Sequence, residues 1–262
     1  MGLKLKKILG ISITTESRKS ILEYVEKYLG KTSEKRKKPF VIVTPNPEQI
    51  VAAQDDPHFA ENLNNADVAI PDGIGLALAM RLARIPGVEF MEDLVKLAAG
   101  RGYTIGLIGG RGNIAVEALE CLTRKFSGLS GWAIEPEEKT IEEIIKKIED
   151  SKTRLVFVGL GAPKQEYFIA RLAHDMSFRP PSRNPEKKGW IPGQARDDKR
   201  IVFMSVGGSF DMIVGRTPRA PHAIGAFGLE WLWRLGREPW RWKRQVALLK
   251  FVWLVFGEKL KK

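Results

Sequence analysis

One cysteine and three histidines in 262 residues leave little material for cross-links or metal centres. A disulfide needs a second thiol, and His58, His174 and His222 are scattered with no spacing that suits a metal ion. Cys121 falls in a helical pattern with Val116, Leu119 and Leu122, and is expected to be a small core residue of a chain held in a reducing compartment. Asp-x-Asp, a common carboxylate pair for holding a divalent ion on a diphosphate, is absent as well; Asp55 and Asp56 are adjacent, on a helix approach. Long apolar runs are missing too. The opening MGLKLKKILGISI carries lysines before a stretch too brief for a signal peptide or a membrane span, so the chain is expected to stay in the cytoplasm.

What is present is a large apolar fraction, 44%, enough for one substantial core and hence one main domain. The net charge of +12 is placed unevenly. From Arg216 to Lys262 there are 11 Lys or Arg against 3 Glu, so this end holds +8 of the +12 and points to an anionic partner, either phospholipid head groups or nucleic acid.

Five apolar runs have the continuous character of strands buried on both faces: FVIVT (40–44), VAI (68–70), TIGLIG (104–109), RLVFVG (154–159) and IVFMSV (201–206). Helical patterns follow the second, third and fourth, as IGLALAMRLA, NIAVEALECLTRKF and KQEYFIARLAHDM. This alternation predicts an α/β fold, a mostly parallel sheet with helices on both faces. PEEKTIEEIIKKIED (136–150) is a further amphipathic helix whose charges form a solvated face. The segment 177–200, rich in Pro, Gly and charge, breaks the rhythm and is expected to be a disordered insertion. A division follows into a catalytic domain over 1–210 and a basic, Trp-rich helical appendage over 211–262.

Ligands of open parallel sheets gather at the carboxyl ends of the strands. There the sequence puts TPNPEQ, PDGIG, GGRGN, GLGAPKQE and GGSFD, one after each run. Asp72, between Pro71 and Gly73, suits either a general base or the N-cap of the helix that follows, and the glycine lets a ligand or a backbone approach closely. Thr44 and Asn46 offer hydrogen bonds from a loop stiffened by Pro45 and Pro47, or else a plain turn and cap. Gly109, Gly110 and Gly161 can present backbone N–H groups to a diphosphate or serve only as tight turns, and Lys164, Gln165 and Glu166 add donors and an acceptor at a helix start.

At the basic end, Arg234, Arg237, Arg241 and Arg244 recur at helical spacing beside Trp240. Trp242, Val246, Leu249, Trp253 and Phe256 form an apolar stripe next to them. Such a helix either lies in a membrane interface or packs on the core; the continuous aliphatic face argues against nucleic acid. Lys250 interrupts the apolar run, which is too short to span a bilayer.

Taken in order, TPNPEQ, DVAIPDGIG, RIPGVEF, LIGGRGN, VGLGAPKQE, VGGSFDMIVGRTPRAP and GLEWLWRLGREPWRWKR resemble the WecG/TagA/CpsF glycosyltransferases, from about Ile8 to about Arg244. The resemblance implies a Rossmann-like domain with a carboxyl-terminal appendage. The implied donor is a uridine diphosphate amino sugar, and the acceptor a sugar on undecaprenyl diphosphate. It implies Asp72 as base of an inverting transfer, with Thr44, Asn46, Arg84 and Gln165 lining the sugar site and Arg216 and Arg219 on a diphosphate. Arg234, Arg237, Arg241 and Arg244 match the set that docks on the membrane. With no cofactor and no metal expected, the enzyme would sit peripherally on the inner face of the cytoplasmic membrane, with homo-oligomers open. Glu89 stands where the family usually has Asp, the Gly-rich segment before Glu137 is short, and 177–200 is extra. Two other classes remain: a dinucleotide-binding oxidoreductase, for which GLGAPK supplies only two of three glycines after the wrong strand, and a non-catalytic membrane scaffold.

Overall fold

A computed structural model describes residues 3–30, 38–135, 139–178, 200–216, 236 and 242–260. Arg219, His222, Arg234, Arg237, Trp240, Arg241 and nearly all of the 177–200 segment lie outside the described residues, as do the side chains of Trp242 and Arg244.

The centre is a six-stranded sheet, parallel throughout, built from β3 (Phe40–Val43), β4 (Val68–Ala69), β5 (Thr104–Gly109), β6 (Ser130–Ile134), β7 (Thr153–Gly159) and β8 (Val202–Ser205) in the order β4-β3-β8-β7-β5-β6. An antiparallel hairpin, β1 (Leu5–Ile8) with β2 (Ile11–Thr14), stands beside it. The five expected strands are all present, and β3, β7 and β8 are buried almost end to end, as strands covered on both faces must be.

β6 and the hairpin were not among the expected strands. β6 is an edge strand, with Ser130 and Gly131 exposed and Trp132 buried, so it lacks an apolar run. Its tryptophan lies across the bare face of Gly106, where a β-carbon would stand 2.5 Å from Trp132 Cζ2. Trp132 Nε1 also donates to Thr153 Oγ1 at 2.8 Å.

Helices cover both faces. The hairpin, α2 (Pro47–Asp55), α3 (Pro57–Asn64), α4 (Ile74–Met80), α7 (Ile141–Asp150), α8 (Lys164–Phe178) and α10 (Trp242–Leu260) supply one core layer. The other layer comes from α1 (Arg18–Leu29), α5 (Gly87–Arg101), α6 (Ile114–Lys125) and α9 (Ser209–Val214). In α7, Thr140 and Glu143 close a capping box and Ile144, Ile145 and Ile148 turn inward, each burial stabilising by roughly 2 kcal/mol, while the charges stay solvated as expected. Helix α6 buries Ile114, Ala115, Ala118 and Leu122. That stripe is offset from the expected one: Val116 is exposed, and Cys121 is half-buried on the flank instead of in the core.

Neighbouring strands β3 and β8 send the chain to opposite sides, β3 into α2 and β8 into α9, which opens a crevice at their carboxyl ends.

Candidate active site

The loops after β3, β4, β7 and β8 are knitted together at this crevice by backbone and side-chain bonds. Asp72 N donates to Pro45 O at 3.0 Å, so the loop bearing the aspartate is fixed to the one bearing Thr44 and Asn46. Gly73, at φ 93°, holds the N-cap position of α4 with no side-chain cap, so Asp72 is not spent as a helix cap. A β-carbon on Gly73 would stand 3.1 Å from Pro47 Cδ; the glycine allows the two loops to lie face to face.

Helix α4 ends on left-handed Arg81, and Ile85 N then donates to Pro71 O at 3.0 Å, which returns the chain to the aspartate. Arg84 Nε thereby comes to 3.6 Å from Asp72 Oδ1, with both side chains about a quarter exposed. Gly87, at the start of α5, completes the corner. A β-carbon there would lie 3.2 Å from Thr44 Cγ2 and 3.4 Å from Asp72 Oδ2, so threonine and carboxylate converge over a bare α-carbon. Thr44 is buried, its Oγ1 donating to Ser205 O at 3.4 Å across the crevice.

Asn46 serves as N-cap of α2. Its Oδ1 accepts from Gln49 N at 3.0 Å, and Gln49 Oε1 accepts from Asn46 N at 3.1 Å, a reciprocal box that satisfies two otherwise orphaned donors. Gln165 and Glu166 lie beneath the cleft surface, 1% and 2% exposed. Gln165 Oε1 accepts from Gly207 N at 3.0 Å and its Nε2 donates to Glu166 Oε1 at 2.8 Å; Gln49 Nε2 approaches the same oxygen at 3.5 Å. Burial pushes the Glu166 carboxyl up from its ordinary value, against the easing of Gln165 and Ser205.

Gly109 and Gly110 act as close-packed turns. Their bare sides face Gly159 O, at 2.9 Å from a notional β-carbon, and Ile114 Cγ2, at 1.9 Å. Gly161, at φ 75°, has open space on its bare side, and Lys164 is exposed at the start of α8. Arg216 Nη2 binds Glu117 Oε1 at 2.6 Å, so this arginine is engaged on α6. Glu89 holds α5 to α1 through Arg18 Nη1 at 2.6 Å, while Arg18 Nε reaches Asp93 at 2.5 Å. Among the described residues no group of three His, Cys, Asp or Glu is arranged to hold a metal. Asp56 instead caps α3, and Asp55 pairs with Lys250 Nζ at 2.9 Å.

Helix α10 borders the same corner. Leu248 Cδ1 would meet a β-carbon on Gly75 at 3.0 Å, and Phe251 and Val255 are buried in the core. Its other side is apolar and exposed: Val246 52%, Leu249 71%, Val252 58%, Trp253 74%, Phe256 63% and Leu260 73%. The expected packing on the core therefore holds for one face of this helix, and the apolar stripe on the other face is exposed. No described helix is long and apolar enough to cross a membrane.

Four participants were not anticipated: Gln49, Ser205, Gly87 and Gly207. Only Gln49 had a legible signal, the Asn-x-x-Gln spacing of a capping box.

The model of the glycosyl transferase WecG/TagA/CpsF family matches residues 6–180 and 184–262. The chain is also 31% identical over 219 residues to an N-acetylglucosaminyldiphosphoundecaprenol N-acetyl-beta-D-mannosaminyltransferase of Bacillus spizizenii, a match covering 80% of this chain and 76% of that protein.

Proposed function

Because the chain belongs to the WecG/TagA/CpsF glycosyltransferase family, we propose that it moves N-acetylmannosamine from a UDP-sugar to N-acetylglucosamine on undecaprenyl diphosphate, with inversion, in cell-envelope polymer synthesis. The observation that carries the reading is the convergence of Asp72 and Thr44 over Gly87, with Arg84 beside the carboxylate, in the crevice where the chain leaves β3 and β8 to opposite sides.

In the proposed step the acceptor hydroxyl oxygen attacks the anomeric carbon, the bond from that carbon to the diphosphate breaks, and UDP departs from the opposite face. The hydroxyl proton passes to Asp72, a role worth about 10²–10⁴ in rate. Arg84 keeps a cationic group 3.6 Å from the carboxylate and so orients it. Charge building on the departing diphosphate is met by Lys164, Arg219 and the backbone N–H groups of the open-sided turns at Gly161 and Gly208. Arg216 would join them by leaving Glu117.

The acceptor's lipid tail requires the enzyme to work at a bilayer surface. Helix α10 suits this: its exposed apolar stripe enters the head-group boundary, while the arginines that precede it bind phosphate at about 1 kcal/mol each.

Incubation with labelled UDP-N-acetylmannosamine and a lipid diphosphate-linked N-acetylglucosamine tests the reading. A disaccharide lipid of inverted anomeric configuration is expected, at a rate unchanged by EDTA. A panel of UDP-sugars that all fail to react would reject it.

A further inference from the structure

Glu166 has no role in the transfer step just described, yet its position is costly. A carboxylate 2% exposed loses most of its hydration, and among the described residues its bonding partners are neutral side chains, Gln165, Gln49 and Ser205. Stability gives no reason to keep such a group, since an apolar residue of similar volume usually serves as well.

What Glu166 does hold is visible in its bonds. Through Gln165 it reaches Gly207 N, at the turn after β8, and through Gln49 it reaches the cap at Asn46, after β3. Glu166 itself lies in the first turn of the helix after β7. The turn it steadies is open on its glycine side, where Gly207, at φ 53°, and Gly208 have nothing within 4 Å of a notional β-carbon, while Ser209 N and Oγ both donate to Val206 O on the chain either side of it.

We propose that Glu166 is a positioning residue for the transfer, one buried carboxylate that fixes the spacing of the loops after β3, β7 and β8 by orienting the Gln49 and Gln165 side chains. It touches neither sugar. The proposal rests on the crevice being the donor site, so it needs one readout that does not depend on turnover.

Amide hydrogen exchange supplies it. In Glu166→Leu, exchange at Gly207 and Asn46 should quicken about five- to tenfold, the loss expected of a single hydrogen bond, because both N–H groups are held by side-chain oxygens that Glu166 orients. Ile70 N, bound to Val43 O, should keep its wild-type rate. Glu166→Gln retains an acceptor oxygen of the same reach and should keep both amides protected. Should Glu166→Leu fail to fold, Glu166→Ala reads the same amides. Transfer kinetics form the second arm, with donor KM rising about tenfold in Glu166→Leu and acceptor KM unmoved. Wild-type protection at both amides in Glu166→Leu, or equal loss in Glu166→Gln, overturns the proposal. If the wild-type protein transfers no sugar, the donor-site reading falls while the exchange result still decides what Glu166 holds.

Discussion

Gly87→Ala is a small perturbation aimed at the point where Thr44 and Asp72 meet. The backbone does not resist it, since Gly87 opens α5 and is not among the positive-φ glycines. The added methyl would stand 3.2 Å from Thr44 Cγ2 and 3.4 Å from Asp72 Oδ2. Relaxed carbon contacts lie at about 3.5–4.0 Å, so one or both side chains must retreat by a few tenths of an ångström. Mispositioning of about 1 Å costs on the order of 10²-fold in rate, so this shift should cost about tenfold in kcat/KM. Stability moves little, because the helix gains up to about 1 kcal/mol from alanine and loses about as much to crowding. For a chain of this size the net change is a Tm shift within about 3 °C. Steady-state transfer and a thermal melt on the same preparation read both quantities. Full activity in Gly87→Ala would refute the claim that Asp72 works from this corner.

Two further outcomes follow from exposed and buried positions. Replacing Leu249, Trp253 and Phe256 together by serine should abolish flotation with anionic liposomes while leaving Tm within a few degrees, because all three are more than 60% exposed; flotation like wild type would remove α10 as the docking face. The Glu166 carboxyl is raised by burial, so the folded state binds its proton more tightly than the unfolded chain does. The associated stability is present at low pH and is lost as pH rises through the folded value. The Tm advantage of Glu166→Gln over wild type should therefore widen from pH 5 to pH 8, and a gap independent of pH would mean that Glu166 is not held in this way.

Much of the sheet is legible in the sequence because strands covered on both faces must be apolar throughout, as FVIVT and RLVFVG are. β6 escapes that rule: at the edge it needs only Trp132 inside, and the tryptophan's place depends on a glycine 26 residues earlier, which no local pattern records. The hairpin hides for a related reason, since Lys4, Lys6 and Lys7 are exposed beside buried Ile8 and the segment has no continuous apolar run.

Within the site, the strand-end positions of Asp72, Thr44 and Gln165 follow from the alternation of runs and loops. Their depth does not. Whether Gln165 faces solvent or lies 1% exposed is settled by which helix covers it, and Arg216 meets Glu117 across 99 residues of sequence. Glycines were ambiguous in the same way: Gly110 is pinned by Ile114, whereas Gly161 faces open space, and both sit in similar Gly-rich turns.

The most direct measurement is single-turnover transfer by Asp72→Asn with donor binding followed in parallel. The amide keeps the size and polarity of the side chain but cannot take the acceptor's proton, so the rate should fall by about 10²–10⁴ with donor affinity nearly unchanged. Transfer at the wild-type rate by Asp72→Asn would contradict the assignment of this carboxylate as the base.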